Sequence, residues 1–438
     1  MCILVACALG CGHSPAAIPT ASSIQTQRKA VNLPKYVIVM IQENRSVDNL
    51  FQTQPGVDTQ NFGFDSHHNR IPLTMVDLNA QFDCDHAHVS FVRDVQVGFD
   101  TEPCGTGAPP DAAYSYVNPS QITQYTALAT QYAFADEVLQ DNQGPSFPAH
   151  IYLIAGTSGS PGTNLNISEE SGKLAVDGPP HRPSGCDAPP GSHDVTMDMT
   201  STFPGKSGKQ IFPCLTAMTI LDELDGAHVS WKYYTSNLDG PWTSPYAIKS
   251  LYTNDRSKVI APETKVLSDI QNGKLAQVSF VTPNSKNSDH PKAGKGGPTW
   301  VASVINALGT SQYWGQCAII VVWDDWGGFY DHVNFRFPVD RPNDPYEYGF
   351  RVPLLAIGPF AKPGFVDHTQ RDFAAIPHFI EDVYGLPSLG QLDAQTDDLF
   401  SMFNFGSQPR KYKWIPTGDV TIKSIIDSPP DPVAIDSE

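Results

Sequence analysis

Glu43-Asn44 and Asp324-Asp325 each close an apolar run, and the residue types of these two pairs suit cation-assisted chemistry. Tyr36-Val37-Ile38-Val39-Met40-Ile41 leads into Gln42-Glu43-Asn44-Arg45-Ser46, and Ala318-Ile319-Ile320-Val321-Val322-Trp323 leads into Asp324-Asp325-Trp326-Gly327-Gly328. Short β-branched runs bounded by turn residues read as buried parallel strands, and open α/β sheets hold ligand groups just past the carboxyl ends of such strands. If the two strands are neighbours, Glu43, Asn44, Asp324 and Asp325 converge on one spot. Clustered carboxylates repel one another and are costly to desolvate, so a bound cation is the natural compensation. The oxygen-rich set suits one divalent metal ion, with Ca²⁺, Mg²⁺ and Mn²⁺ not distinguishable. Taken singly, either pair reads equally well as solvated loop acids.

The wording around the pairs extends further. Val37 through Phe51, followed by Pro55-Gly56-Val57, resembles the opening motif of the bacterial phosphoesterase family that contains secreted phospholipases C and acid phosphatases. Gly144-Pro145-Ser146-Phe147-Pro148, Val229-Ser230-Trp231-Lys232-Tyr233-Tyr234, Asn287-Ser288-Asp289-His290-Pro291 and Asp324 through Val333 resemble later segments of that family, in the same order. The resemblance covers about residues 34 to 390.

What the resemblance implies is a fold like the alkaline phosphatase superfamily and hydrolysis of phosphate esters through a phospho-serine intermediate. It places the covalent nucleophile at Ser146, as Ser in the acid phosphatases and Thr in the phospholipases, which leans towards phosphomonoesters. Helix N-cap is the plainer role for Ser146, and the two are compatible, because free N–H groups at a helix start favour a phosphate oxygen. Metal coordination would activate its hydroxyl. His290 and His86 match family positions lining the phosphate site and suit proton donation to the leaving group, with His88 as a companion. His332 matches as well, yet it follows the acidic turn by seven residues and either meets substrate or orients that loop. Arg45 either contacts substrate phosphate or pairs with Asp48. Trp231, Tyr233 and Tyr234 read as core or as a pocket rim able to face a choline head group.

Around these residues the elements alternate. Strands are expected at 36–41, 134–139, 229–234, 278–283, 318–323 and 353–357, and helices at 121–132, 219–224, 299–308 and 373–384. That alternation predicts an α/β fold with a mostly parallel central sheet and helices on both faces. Residues 158–210, dense in Gly, Pro, Ser and Asp, read as a long loop excursion over the active face. The chain divides into an export leader and linker over 1–29, one catalytic domain over 30–405 and a peripheral tail over 406–438.

The 438 residues are 40% hydrophobic, enough for a sizeable core, while 34 Gly and 38 Pro predict structured loops. A net charge of −18 argues against a nucleic-acid partner and against docking on anionic membranes. Residues 1–11 form an apolar run too short to span a bilayer, so no transmembrane segment is expected, and the run resembles the end of a secretory signal. Leu4-Val5-Ala6-Cys7 also resembles a lipobox, which would make Cys7 a lipid anchor. An exported location, whether secreted, periplasmic or anchored at the cell surface, permits disulfides. Cys84 with Cys104 and Cys186 with Cys214 are the expected bridges, leaving Cys317 free at the start of a buried strand, with Cα separations of about 4.4 to 6.8 Å.

Three functions remain in view. An acid-phosphatase-like hydrolase is favoured by Ser146 and by a chain that runs only about 50 residues beyond its last helix, where larger phospholipases of the family carry further β domains. A phospholipase C cleaving choline phospholipids is the alternative. A non-catalytic surface binding protein of the same fold would show a broken ligand set, whereas all the positions named above are intact.

Overall fold

The computed structural model describes residues 32–159, 165–167, 185–198, 206–238, 240–333 and 348–428. The leader, including Cys7, lies outside them. A nine-stranded sheet forms the centre. Its strands in chain order are β1 (Tyr36–Gln42), β2 (Ala133–Leu139), β3 (Trp231–Tyr234), β4 (Val259–Ile260), β5 (Val278–Val281), β6 (Cys317–Trp323), β7 (Arg351–Ile357), β8 (Phe365–Asp367) and β9 (Arg371–Asp372). Across the sheet they run β4-β3-β5-β1-β6-β7-β2-β8, with β9 also on β2. All neighbours are parallel except β7, which is antiparallel to both β6 and β2.

The central strands carry no polar alternation because both faces are covered: every residue of β6 and β7 is buried, as is all of β1 after Tyr36. Two separate groups of helices do the covering. Helices α1 (Val47–Phe51) and α2 (His88–Gln96) belong to the loops above the sheet, and other helices build the layers. Helix α3 (Thr123–Gln131) packs on α5 (Gly297–Gly309), and α4 (Ser146–Ala155) packs on α6 (Ala375–Tyr384). Helix α4 is buried along its whole length and is apolar apart from Ser146, His150 and the Tyr152 hydroxyl. A second, smaller core gathers Phe82, Phe91, Phe99, Trp326, Phe329 and Phe350 beneath the loops that follow β1 and β6.

Both expected disulfides are present. Cys84–Cys104 has a Cα separation of 3.6 Å, shorter than expected, and Cys186–Cys214 has 4.5 Å. Two bridges fit an exported protein. Cys317 is free and buried. No helix among the described residues is long and apolar enough to cross a membrane.

Two expectations are corrected. Within 158–210 the described pieces are not all loop: Leu165–Ile167 and Lys206–Ile211 flank Asp194–Asp198 in a small antiparallel sheet. These strands are short and set among Gly, Pro and Ser, which hid their signal, whereas pairing between strands supplies the order. The aromatic end of β3 is not a pocket rim. Tyr233 is buried, its hydroxyl donates to the Trp242 carbonyl at 3.0 Å, and Tyr234 donates to Asp269 at 2.8 Å.

Candidate active site

Parallel register places the acidic pairs. Gln42 faces Trp323 as the last pair of β1 and β6, and the ladder continues one step as Asp324 N–H donates to the Gln42 carbonyl at 2.9 Å. The chain then turns at Asn44, whose φ of 61° is left-handed, a conformation Asn tolerates better than most residues. The Asn44 N–H donates to Asp324 Oδ1 at 2.9 Å, and the Arg45 N–H donates to the Asp325 carbonyl at 2.9 Å. Gly327, with a φ of 63°, lies against the Asn44 carbonyl where a Cβ would collide, so the two turns interlock only with glycine there.

The other contributors leave the same edge of the sheet. The loop after β2 delivers Ser146, and the loop after β5 delivers His290. Ser146 is the first residue of α4 rather than its cap: Pro145 takes the N-cap position and no side chain caps the helix. The Ser146 hydroxyl instead donates to Asp325 Oδ2 at 3.2 Å. The expected capping role is therefore replaced by a contact inside the acidic cluster.

One turn further along α4, His150 sets Nε2 at 3.1 Å from Glu43 Oε1 and 3.5 Å from Asp324 Oδ2. Glu43, His150 and Asp324 form a group whose ligand atoms lie within 4.8 Å of one another. The sequence reading missed His150. Its signal was the spacing of four from Ser146, which puts both side chains on one helix face.

His86 closes another side. Its Nδ1 pairs with the Cys84 carbonyl at 2.8 Å and its Nε2 with Asn44 Nδ2 at 2.7 Å, an arrangement that needs the neutral Nδ1–H tautomer. Asp325 Oδ2 is 3.7 Å from the same Nε2. With its amide nitrogen turned to His86, Asn44 presents Oδ1, a buried oxygen with no hydrogen-bond partner among the described residues. The His290 ring lies 6.5 Å from that of His86, and Trp242 lies 6.2 Å from His290 and 6.4 Å from His150.

Electrostatics mark the cluster as incomplete. Glu43, Asp324 and Asp325 are fully buried. Burial opposes ionisation of Asp324, yet hydrogen bonding with His150, Glu43 and Ser146 outweighs it and holds this carboxyl below the usual range. Two carboxyls within hydrogen-bond reach require a proton or a cation between them. The orphaned Asn44 oxygen, the carboxylates and His150 thus fit a divalent metal, whose number and identity the residues leave open.

Three expected site residues make contacts of their own within the protein. The Arg45 guanidinium is taken up by protein oxygens: Nε and Nη2 donate to the Asp289 carbonyl at 3.1 and 2.6 Å, Nη2 donates to the Leu78 carbonyl at 2.5 Å, and Nη1 donates to Asn49 at 3.1 Å. Burial presses its pKa down to about 10 against the opposing charges of Asp289 and Asp83, so it stays charged at neutral pH as a strut. His332 pairs with Asp48 at 2.7 Å, in a cluster with Asp331 and Arg351. His88 donates from Nδ1 to the Gln143 carbonyl at 3.0 Å, which places it on the loop before Ser146.

Residues 35–387 match the Phosphoesterase family. This chain belongs to that family. A non-hemolytic phospholipase C of Pseudomonas aeruginosa is 25% identical over 90% of this chain and 60% of its own length. Phospholipase C B of Mycobacterium tuberculosis is 27% identical over 44% of each chain. A non-specific phospholipase C1 of Arabidopsis thaliana is 24% identical over 86% of this chain and 72% of its own. The family member described here therefore spans 60% and 44% of the two bacterial relatives. Among solved structures, a protein of the alkaline phosphatase superfamily from Vibrio parahaemolyticus aligns with 82% of this chain and 70% of its own at 12% identity and a TM-score of 0.37, which is too distant to add to the assignment.

Proposed function

We propose that this chain hydrolyses a phosphate ester, with Ser146 as the attacking group. The observation that carries the reading is the Ser146 hydroxyl at 3.2 Å from Asp325 Oδ2, at the uncapped start of a buried helix and beside two further acids and His150. Asp325 Oδ2 is placed to take the hydroxyl proton as Oγ bonds to phosphorus and the ester P–O bond breaks. Free N–H groups of the first turn of α4 suit the phosphoryl oxygens. The leaving alcohol needs a proton. His290, whose Nδ1–H donates to the Pro291 carbonyl at 2.8 Å, would deliver one from Nε2 as the imidazolium and regain it from the attacking water. Water then attacks the phospho-serine, releasing phosphate or a phosphomonoester and restoring Ser146. Glu43, Asn44, His150 and Asp324 would hold a metal whose charge would offset that of the phosphoryl group, while Asp325, whose Oδ1 accepts from the Gly327 N–H at 2.7 Å, keeps Oδ2 for the Ser146 proton.

The test is Ser146→Ala in metal-loaded protein, assayed on p-nitrophenyl phosphate and on p-nitrophenylphosphorylcholine. Turnover is expected to fall by about three orders of magnitude or more on whichever ester the parent cleaves. Activity within about tenfold of the parent would mean that water, not Ser146, attacks phosphorus. The same pair of esters separates the phosphatase reading from the phospholipase C reading. The phospholipase C reading is favoured by the names of the relatives that align with most of this chain.

A further inference from the structure

The acidic turns are stitched together a second time, away from the metal-binding atoms. Ser46 Oγ donates to the Tyr330 carbonyl at 2.8 Å, the Asp48 N–H donates to Asp331 Oδ2 at 3.3 Å, and the His332 N–H donates to Asp48 Oδ2 at 2.6 Å. His332 Nδ1 meets the same Asp48 oxygen at 2.7 Å. Segment 46–48 directly follows Glu43-Asn44, and segment 330–332 directly follows the turn of Asp324-Asp325. Asp331 is gripped from below by Arg351 of β7, at 2.8 Å from Nε and 3.2 Å from Nη2.

Asp48, Asp331 and His332 are close enough to hold an ion themselves. Arg351 argues against that, because its guanidinium already supplies the positive charge and lies 3.3 Å from His332 Nδ1. Charge surrounds the imidazole from every side. Asp58 of the loop after α1 is 3.5 Å from Nε2, Arg351 also meets Glu137 of β2 at 3.1 Å, and Asp65, His68 and Asp94 share the 340 Å³ cavity that His332 lines.

We propose that His332 is a positioning residue: as an imidazolium bonded to Asp48 it clamps the two acidic turns in register, and its deprotonation loosens them. This rests on the proposed function for the metal site and the activity readout, whereas the imidazole pKa is read independently of both. Burial, and to a smaller extent the Arg351 charge, would lower the His332 pKa, but the Asp48 hydrogen bond and the charges of Asp48 and Asp331 outweigh both and raise it above the ordinary histidine value. A raised folded pKa gives a stabilising contribution that is full below the unfolded value of about 6.5 and lost as pH rises through the folded one.

The experiment compares the parent with His332→Gln and His332→Lys between pH 5.5 and 9. Mn²⁺ affinity by calorimetry and the imidazole pKa by NMR are read beside kcat/KM. The parent should bind Mn²⁺ about five- to tenfold more tightly than His332→Gln at pH 6, with that ratio closing towards one by pH 9. His332→Lys should hold the advantage to higher pH. A parent-to-variant ratio that stays constant with pH, or a measured His332 pKa below about 6.5, overturns the clamp. Because metal affinity is read without turnover, a parent that cleaves no ester sinks the proposed function and leaves the clamp to be judged on the binding ratio.

Discussion

Asp289 shows how the site is held by groups that touch no substrate. It is fully buried at a φ of 74°, and its Oδ2 accepts from Tyr125 at 2.6 Å and from Trp323 at 3.2 Å. Its Oδ1 finds no hydrogen-bond donor among the described residues. Burial, opposed by Tyr125, Arg45 and Trp323, pushes this carboxyl up to about 6. The protonated form is therefore the comfortable one: the contribution to stability is full below about pH 4 and lost as pH rises through about 6. Asn tolerates the left-handed backbone and keeps an oxygen for Tyr125 and Trp323. Asp289→Asn should therefore raise the unfolding free energy read from urea curves by about 3 kcal/mol at pH 8 and by about half as much at pH 5. A variant less stable than the parent at both values would show that Arg45 needs this charge. Ser146 was singled out by the family resemblance, whereas the acidic pairs were legible in the sequence because each closes an apolar strand. Arg45 and His150 were not, since a partner such as the Asp289 carbonyl or the Glu43 carboxylate is fixed only by tertiary contact.

At the scale of elements, the strands were read well because unbroken runs such as Cys317–Trp323 belong to a sheet covered on both faces. The direction of β7 was not legible, since Arg351–Ile357 has the same apolar character as its parallel neighbours and only register distinguishes it. Loops above the sheet were harder still. The short strands Thr74–Val76 and Ser115–Val117 pair across an intervening helix and a disulfide that no periodicity announces. That disulfide is linked to the candidate site through two hydrogen bonds. Cys84–Cys104 fixes the backbone whose carbonyl pairs with His86 Nδ1, and His86 in turn fixes the Asn44 amide. Replacing Cys84 and Cys104 together by Ala should cost about 3 kcal/mol of stability, as expected for a loop of this size. It should also weaken Mn²⁺ binding and kcat/KM by releasing the Asn44 orientation. Thermal unfolding and calorimetry would check both parts, and a destabilised variant with parental metal affinity would dismiss the link from disulfide to ligand.

For the whole molecule, the net charge of −18 bears on which surface the site can approach. A charge of that sign is repelled by anionic lipid, and the repulsion extends over roughly a Debye length, about 8 Å at physiological salt. The phosphoryl chemistry proposed at Ser146 would be unaffected by this long-range field, because Ser146 and the acids around it are buried and local charges dominate there. Encounter is a different matter, since the field acts on the association step. Under the phospholipase C reading, hydrolysis of phosphatidylcholine vesicles should therefore slow when part of the lipid is replaced by phosphatidylserine at low ionic strength. Salt should restore most of the lost rate by screening, while a soluble choline phosphodiester should show no such recovery. The comparison separates encounter from chemistry: the vesicle effect should appear at subsaturating lipid and vanish at saturation. Faster hydrolysis on phosphatidylserine-containing vesicles would mean that a local basic surface, not the overall charge, governs docking, and the argument from net charge would fail.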